Sequence, residues 1–518
     1  MFDKSRFLFF ILIFAIVPSG LLAQNENLGE IDFPTSGSPN AQKHFIQGVL
    51  LLHSFEYPDA RRAFRHASEI EPGFAMAYWG EAMTWNHPIW NRQYKNQAIA
   101  ALNKLGKTAG ERAAKAPTQR EQDFLATLEV LFGEGEKVER DFAYMNAWKK
   151  LYEKYPDDLE AASFYALSIL GSAQGKREFK TYMRAGAIAQ QIFEKNPLHP
   201  GAAHYVIHSF DDPIHAPLGL RAAFSYAKIA PDAPHALHMP SHVFMALGMW
   251  DESNSSNEAS AAAGYKKGQR AHHAEWWLNY GYLQQGRYKE AQKILAKMDD
   301  YMAEDARIST RNHLAYMRSS WLVETRRWQT ETFSENFELD GLRKQSATCV
   351  LLAKGMAAIA SGQIEEAEKN LAAMHDLPQP EANYIDDNKT ARLMQLELEA
   401  LVKLEKGEGK TALKLMDEAA ALQENMRFEF GPTMPIKPVH ELRGEILLKL
   451  NQPKAARTAF RNALSRDPER PLSLIGLARA AELAGNATES RQAREQLRLV
   501  WKRADPDIVE LKEAASND

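Results

Sequence analysis

The chain has 518 residues, with 63 basic against 67 acidic side chains and a formal net charge of −4. That balance excludes the basic footprint of a nucleic-acid binder. A single cysteine, Cys349, excludes an intrachain disulfide and a thiolate-rich zinc or iron–sulfur centre.

The first element in chain order is MFDKSRFLFFILIFAIVPSGLLAQ. Lys4 and Arg6 precede an apolar run from Phe7 to Val17, Pro18-Ser19-Gly20 break it, and Ala23-Gln24 offers a small-residue cleavage point. Residues 1–23 therefore read as a secretory signal peptide, which predicts an exported (periplasmic or secreted) protein. The apolar run is short for a bilayer span and no later stretch is apolar enough, so the mature chain is expected to carry none. Residues 24–40 are polar and turn-rich, a flexible leader.

From residue 41 helix formers dominate, with apolar residues at i, i+3 and i+4. A unit opening at Ala41 places Gly48, Leu51, Ala60, Phe64, Ala67 and Pro72. A unit opening at Ile436-Lys437 places Gly444, Leu447, Ala456, Phe460, Ala463 and Pro468 at the same offsets. Small residues let helices approach, large apolar ones fill the space between, and the proline stops the second helix before the next unit. GRYKEAQKILAKM and GQIEEAEKNLAAM repeat the same turn and helix.

These residues resemble the tetratricopeptide repeat, a helix–turn–helix unit of about 34 residues. The resemblance implies an all-α, right-handed helical-repeat solenoid, built as one body or as two packed halves. On this reading 41–300 form an N-terminal solenoid with a histidine-rich site and 301–345 an irregular helical connector. Residues 346–505 form C-terminal repeats and 506–518 a polar tail. Gln97–Thr118 departs from the pattern, and GSAQGKREFK (Gly171–Lys180) reads as an insertion between helices.

Two stretches stand out, HYVIHSFDDP and HALHMPSHVF. His204 and His208 are spaced i, i+4, as are His238 and His242, and a shift of one repeat carries the first pair onto the second. Such pairs share a helix face. The resemblance places all four at groove-facing positions of consecutive first helices. It sends Asp211 and Asp212 into the groove with the first pair, His235 with the second, and His273, Trp276 and Tyr280 from the following unit. Imidazoles with carboxylates form a donor set for a transition metal, one ion shared between the two helices or two, without choosing among zinc, copper, iron and manganese.

His215, in DDPIHAP, reads as a further ligand or a proton shuttle, and Glu275 as a general base from the next helix. The zincin glutamate is missing, because Tyr205 follows the first histidine of HYVIH. Pro240 predicts a helix that begins only near Met239, with His235 and His238 on its entry loop. Trp79 and His87 read as packing residues or as an aromatic wall of the groove. His44, His53, His66, His313, His375 and His440 read as ordinary packing or surface histidines. Two functions follow: a metal centre that hydrolyses or oxidises a small ligand in the concave groove, or a non-catalytic scaffold that grips a peptide or protein partner there.

Overall fold

The computed structural model describes residues 27–173, 177–329, 337–379, 387–426 and 430–508; the expected signal peptide lies outside them. The described residues form an all-α stack of helical hairpins. Their strands are Asn86–His87 and Arg92–Gln93, a short antiparallel pair around a single 3-10 turn. The all-α solenoid expected from the repeat pattern is therefore what the chain builds. No described helix is long and apolar enough to cross a membrane.

The two helices of a unit differ for a physical reason. A first helix is covered by its neighbours in the stack and by its own partner, so Pro200–Phe210 is buried at every residue. A second helix lies outside and needs only one apolar stripe. Pro453–Arg466 buries only Ala456, Ala459, Phe460 and Ala463 and turns basic residues to solvent.

The repeat register is fixed by glycines around one phenylalanine. A Cβ added at Gly48 would come within 2.6 Å of the Phe64 ring, and one at Gly80 would overlap it. Near the C-terminus Gly444 and Gly476 flank Phe460 in the same way. Gly476→Ala should therefore lower the melting temperature. Overpacking of about 1–3 kcal/mol exceeds the helix-propensity gain of alanine over glycine, about 1 kcal/mol. A melting temperature equal to wild type would show that the ring can move aside.

The C-terminal repeats return onto the middle ones. Trp501 Nε1 donates to the Gln284 carbonyl at 3.0 Å, and Trp250 Nε1 to the Glu469 carbonyl at 3.3 Å. This return brings the segment from Phe430 to Pro438 over the histidine-rich helices. There a Cβ on Gly431 (φ 102°) would overlap the Trp277 ring.

Candidate metal centre

His204 and His208 lie on Pro200–Phe210. The next first helix is interrupted at Met239, before Pro240, but His235 and His238 lie on a helical turn, Pro234–His238, and not on the entry loop expected for them, while Pro240–Ala246 carries His242. Proline at the first position of the second piece needs no N–H partner there. His273 comes from His272–Gln284.

The rings form a continuous chain. Centroid separations are 5.2 Å for His235–His204, 4.9 Å for His204–His208, 5.4 Å for His208–His242, 5.1 Å for His242–His238 and 4.6 Å for His238–His273. Within this chain the four predicted histidines do not surround one point. They divide into two triads, His204–His208–His235 and His238–His242–His273, each offering one nitrogen per residue within 4.8 Å of the others.

The first triad has a defined tautomer set. His204 Nδ1 donates to the His53 carbonyl at 2.6 Å, and His208 Nδ1 to Asp211 Oδ2 at 3.2 Å. Both Nε2 lone pairs therefore face inward. The Nε2 atoms of His204, His208 and His235 are all buried without a hydrogen-bond partner among the described residues. Burial, and then the neighbouring imidazoles, hold His204 and His235 well below the usual histidine range. Those two rings are thus neutral at neutral pH. Two inward lone pairs on rings held from behind, with the unpartnered His235 Nε2 beside them, fit a metal ion better than they fit packing.

Asp211 stands between the triads. Its Oδ1 accepts from Arg177 at 2.9 Å, and its Oδ2 lies 3.2 Å from His208 Nδ1 and 3.5 Å from His242 Nδ1. Burial opposes its charge, but the Arg177 guanidinium and the two histidine contacts outweigh that and hold the carboxyl well below its usual range. Asp211 thus contacts one ring of each triad, and with His208 and His242 it forms a further group whose donor atoms lie within 4.8 Å of one another.

Several predicted site residues lie elsewhere. Asp212 pairs with Arg177 at 3.3 Å and with His215 Nδ1 at 3.0 Å. It also accepts from the backbone of Ile214 and His215, a local turn, and belongs to neither triad. His215 packs on Phe179 at the start of Ala216–Ile229 and belongs to neither triad. Glu275 Oε1 accepts from Tyr265 and pairs with Lys297 at 3.2 Å on the outer helices, while its Oε2 is buried without a hydrogen-bond partner among the described residues. Trp79 is fully buried among Phe33, Phe124 and Phe164, in the core rather than the groove.

The aromatic wall exists with partly different members. Phe55 sits 4.2 Å from His204, His87 stacks on Tyr57 at 3.8 Å, and Trp90 approaches His235 at 6.0 Å. Trp276 stacks on Tyr316 beside His313, and its ring lies 6.0 Å from His273. Trp277 stacks on one side of His242 at 4.5 Å, and Phe430 lies 4.7 Å from the same ring. Neither was among the residues predicted from sequence. His53 is more than packing: it pairs with Glu160 at 2.8 Å, His199 lies 3.3 Å from the same carboxylate, and the His53 carbonyl fixes His204.

Beside Asp211 and His242 is a cavity of about 60 Å³, closed on its far side by Gln423, Phe430, Thr433 and Asp467. Tyr280 lines it and donates no ligand; its hydroxyl contacts Thr433 and Arg470. Gln423 Oε1 is buried there without a partner among the described residues. A water needs roughly 10–15 Å³ on this measure, so the space suits a few heavy atoms.

Residues 438–470 match the family model described as "Tetratricopeptide repeat". No curated protein matches the sequence. Among solved structures, a human IFIT1 dimer with m7Gppp-AAAA is similar at 13% identity and a TM-score of 0.38, covering 90% of this chain and 91% of that one. The Cut9 chain of an APC/C hetero-tetramer, Cut9-Hcn1, gives 12% identity, a TM-score of 0.35, and 93% and 77% coverage. The P58(IPK) TPR domain gives 13%, 0.23, and 87% and 99%. Likeness at this level bears on neither ligand nor activity.

Proposed function

We propose that this chain, a member of the tetratricopeptide-repeat superfamily, is an exported protein that holds a transition-metal ion at His204, His208 and His235 and acts on a small ligand beside it. The observation that carries the reading is the set of three buried, unpartnered Nε2 atoms, two of them on rings anchored through Nδ1. Three imidazoles leave a fourth position open, the pattern of catalytic rather than structural zinc sites. A bound ion would supply Lewis acidity for hydrolysis or, if redox-active, for oxidation. The chain's own contribution is orientation through the His53 carbonyl and Asp211, and exclusion of water by Phe55 and Phe430.

Export rests on the pattern of residues 1–23. A peptide partner in the groove is less well supported at this point, because Phe430 of the returning segment lies against His208 and His242 and the adjoining cavity is small.

Zinc titration of chelator-stripped protein against a competing chromophoric chelator tests the metal. His208→Gln is expected to weaken the ion held by this triad by more than the roughly 10–100-fold of an outer-shell loss. Affinity equal to wild type would overturn the reading.

A further inference from the structure

We infer that the second triad, His238, His242 and His273, is a separate binding site for a divalent first-row metal ion that favours imidazole. The inference rests on the first reading for its chemistry but on different atoms. Its centre is the 3.3 Å separation between His238 Nε2 and His242 Nε2.

The protons decide what this short distance means. Asn257 Nδ2 donates to the Ser253 carbonyl at 2.9 Å, which fixes the amide and leaves Oδ1 facing His238 Nδ1 at 2.6 Å. An amide oxygen only accepts, so His238 Nδ1 carries the proton and its Nε2 is a lone pair. On the other ring, Nδ1 faces Asp211 Oδ2 at 3.5 Å. A proton on Nδ1 faces that carboxylate, at an ion-pair rather than a hydrogen-bond distance, and leaves His242 Nε2 as a second lone pair, aimed at the first. The alternative tautomer, with the proton on His242 Nε2, turns a lone pair toward a buried charged carboxylate instead. A cation between the two Nε2 atoms satisfies both lone pairs at once.

The distance agrees. With zinc–nitrogen bonds of 2.0–2.1 Å, the edge between two ligands of a tetrahedral ion is about 3.3–3.4 Å. His273 supplies the third nitrogen from the following repeat, within 4.8 Å of the other two. It is the exposed member, so it marks the side from which an ion enters. Trp277 and Phe430 bracket His242 and keep the remaining surroundings apolar. Asp211, touching His208 on one side and His242 on the other, links the two sites through their outer shells.

The experiment is metal stoichiometry after equilibrium dialysis against Zn²⁺ alone, read by elemental analysis, with circular dichroism confirming the fold. His273→Ala is the main variant because an exposed side chain can be removed without unfolding the chain; His235→Ala serves the first site. Wild type should bind about two ions, each single variant about one, and the double variant none. One ion in wild type that survives His273→Ala but is lost in His235→Ala would overturn the second site and leave the first standing. One ion lost in His273→Ala and kept in His235→Ala would overturn the first and support the second. No ion in wild type, or two ions in all variants, would overturn both.

Discussion

Asp211→Asn is expected to weaken both zinc ions together, by about 10–100-fold each, while leaving their number unchanged. The carboxylate touches no ion in the proposed arrangement; it acts through His208 Nδ1 and His242 Nδ1, one ring from each triad. Asparagine keeps the shape but has one acceptor oxygen where aspartate has two. It cannot accept from Arg177 and face both imidazoles equally. Lost charge also lowers the basicity that a carboxylate lends to a ligating ring. Arg177 keeps Asp212 at 3.3 Å, so the guanidinium is not stranded and the fold should survive. Asp212→Asn is the matched control: it disturbs Arg177 and His215 and should leave zinc affinity within a few-fold of wild type. Stepwise dissociation constants by chelator competition separate the outcomes. A fall in one constant alone, or in neither, would remove Asp211 from its bridging position.

The residues that were legible in the sequence are those whose partners lie at repeat spacing. Gly48 and Gly444 meet Phe64 and Phe460 within one unit, and the His204/His208 and His238/His242 pairs recur one unit apart. The grouping of the histidines was not legible, because it depends on how the divided helix at Pro240 directs His235 toward one neighbour and His238 toward the other. Asp212, His215 and Glu275 misled for a common reason. Each looked free in sequence, yet each meets a partner, Arg177, Asp212 or Lys297, that the repeat frame does not place. Arg177 itself lies in the stretch read as an insertion. Asn257 carried a usable signal: Ser253, Asn254 and Asn257 form a buried polar stripe on a second helix, where other units place alanine and phenylalanine. Phe430 had no local signal at all, since only the return of the C-terminal repeats brings it to His242.

That return depends on one buried cation. Arg470 is fully buried, with Nε 2.7 Å from Glu441 Oε2 and Nη1 2.8 Å from Glu324 Oε1 and 2.9 Å from the Tyr280 hydroxyl. It thereby ties Val439–Lys449 and its own repeat to His272–Gln284 and Ile308–Thr325. Arg470→Met should cost about 3–5 kcal/mol, the range for removing one partner of a buried pair. Glu441 would retain Lys437 at 2.7 Å, whereas Glu324 would be left without its cation. Burial already raises the Glu324 carboxyl above its usual range against the pull of Arg470. Removing Arg470 raises it further. The folded variant then favours the protonated acid, and its stability falls as pH rises through the Glu324 titration. The loss relative to wild type should therefore be larger at pH 8 than at pH 5, and Glu324→Gln added to Arg470→Met should recover part of it. Thermal melts of wild type, Arg470→Met, Glu324→Gln and the double variant at the two pH values measure this coupling. Because the same contact seats the segment bearing Phe430 over His242, Arg470→Met should also release bound zinc faster to a chelator. Unchanged release at a lowered melting temperature would mean that the covering segment holds its place without the buried cation.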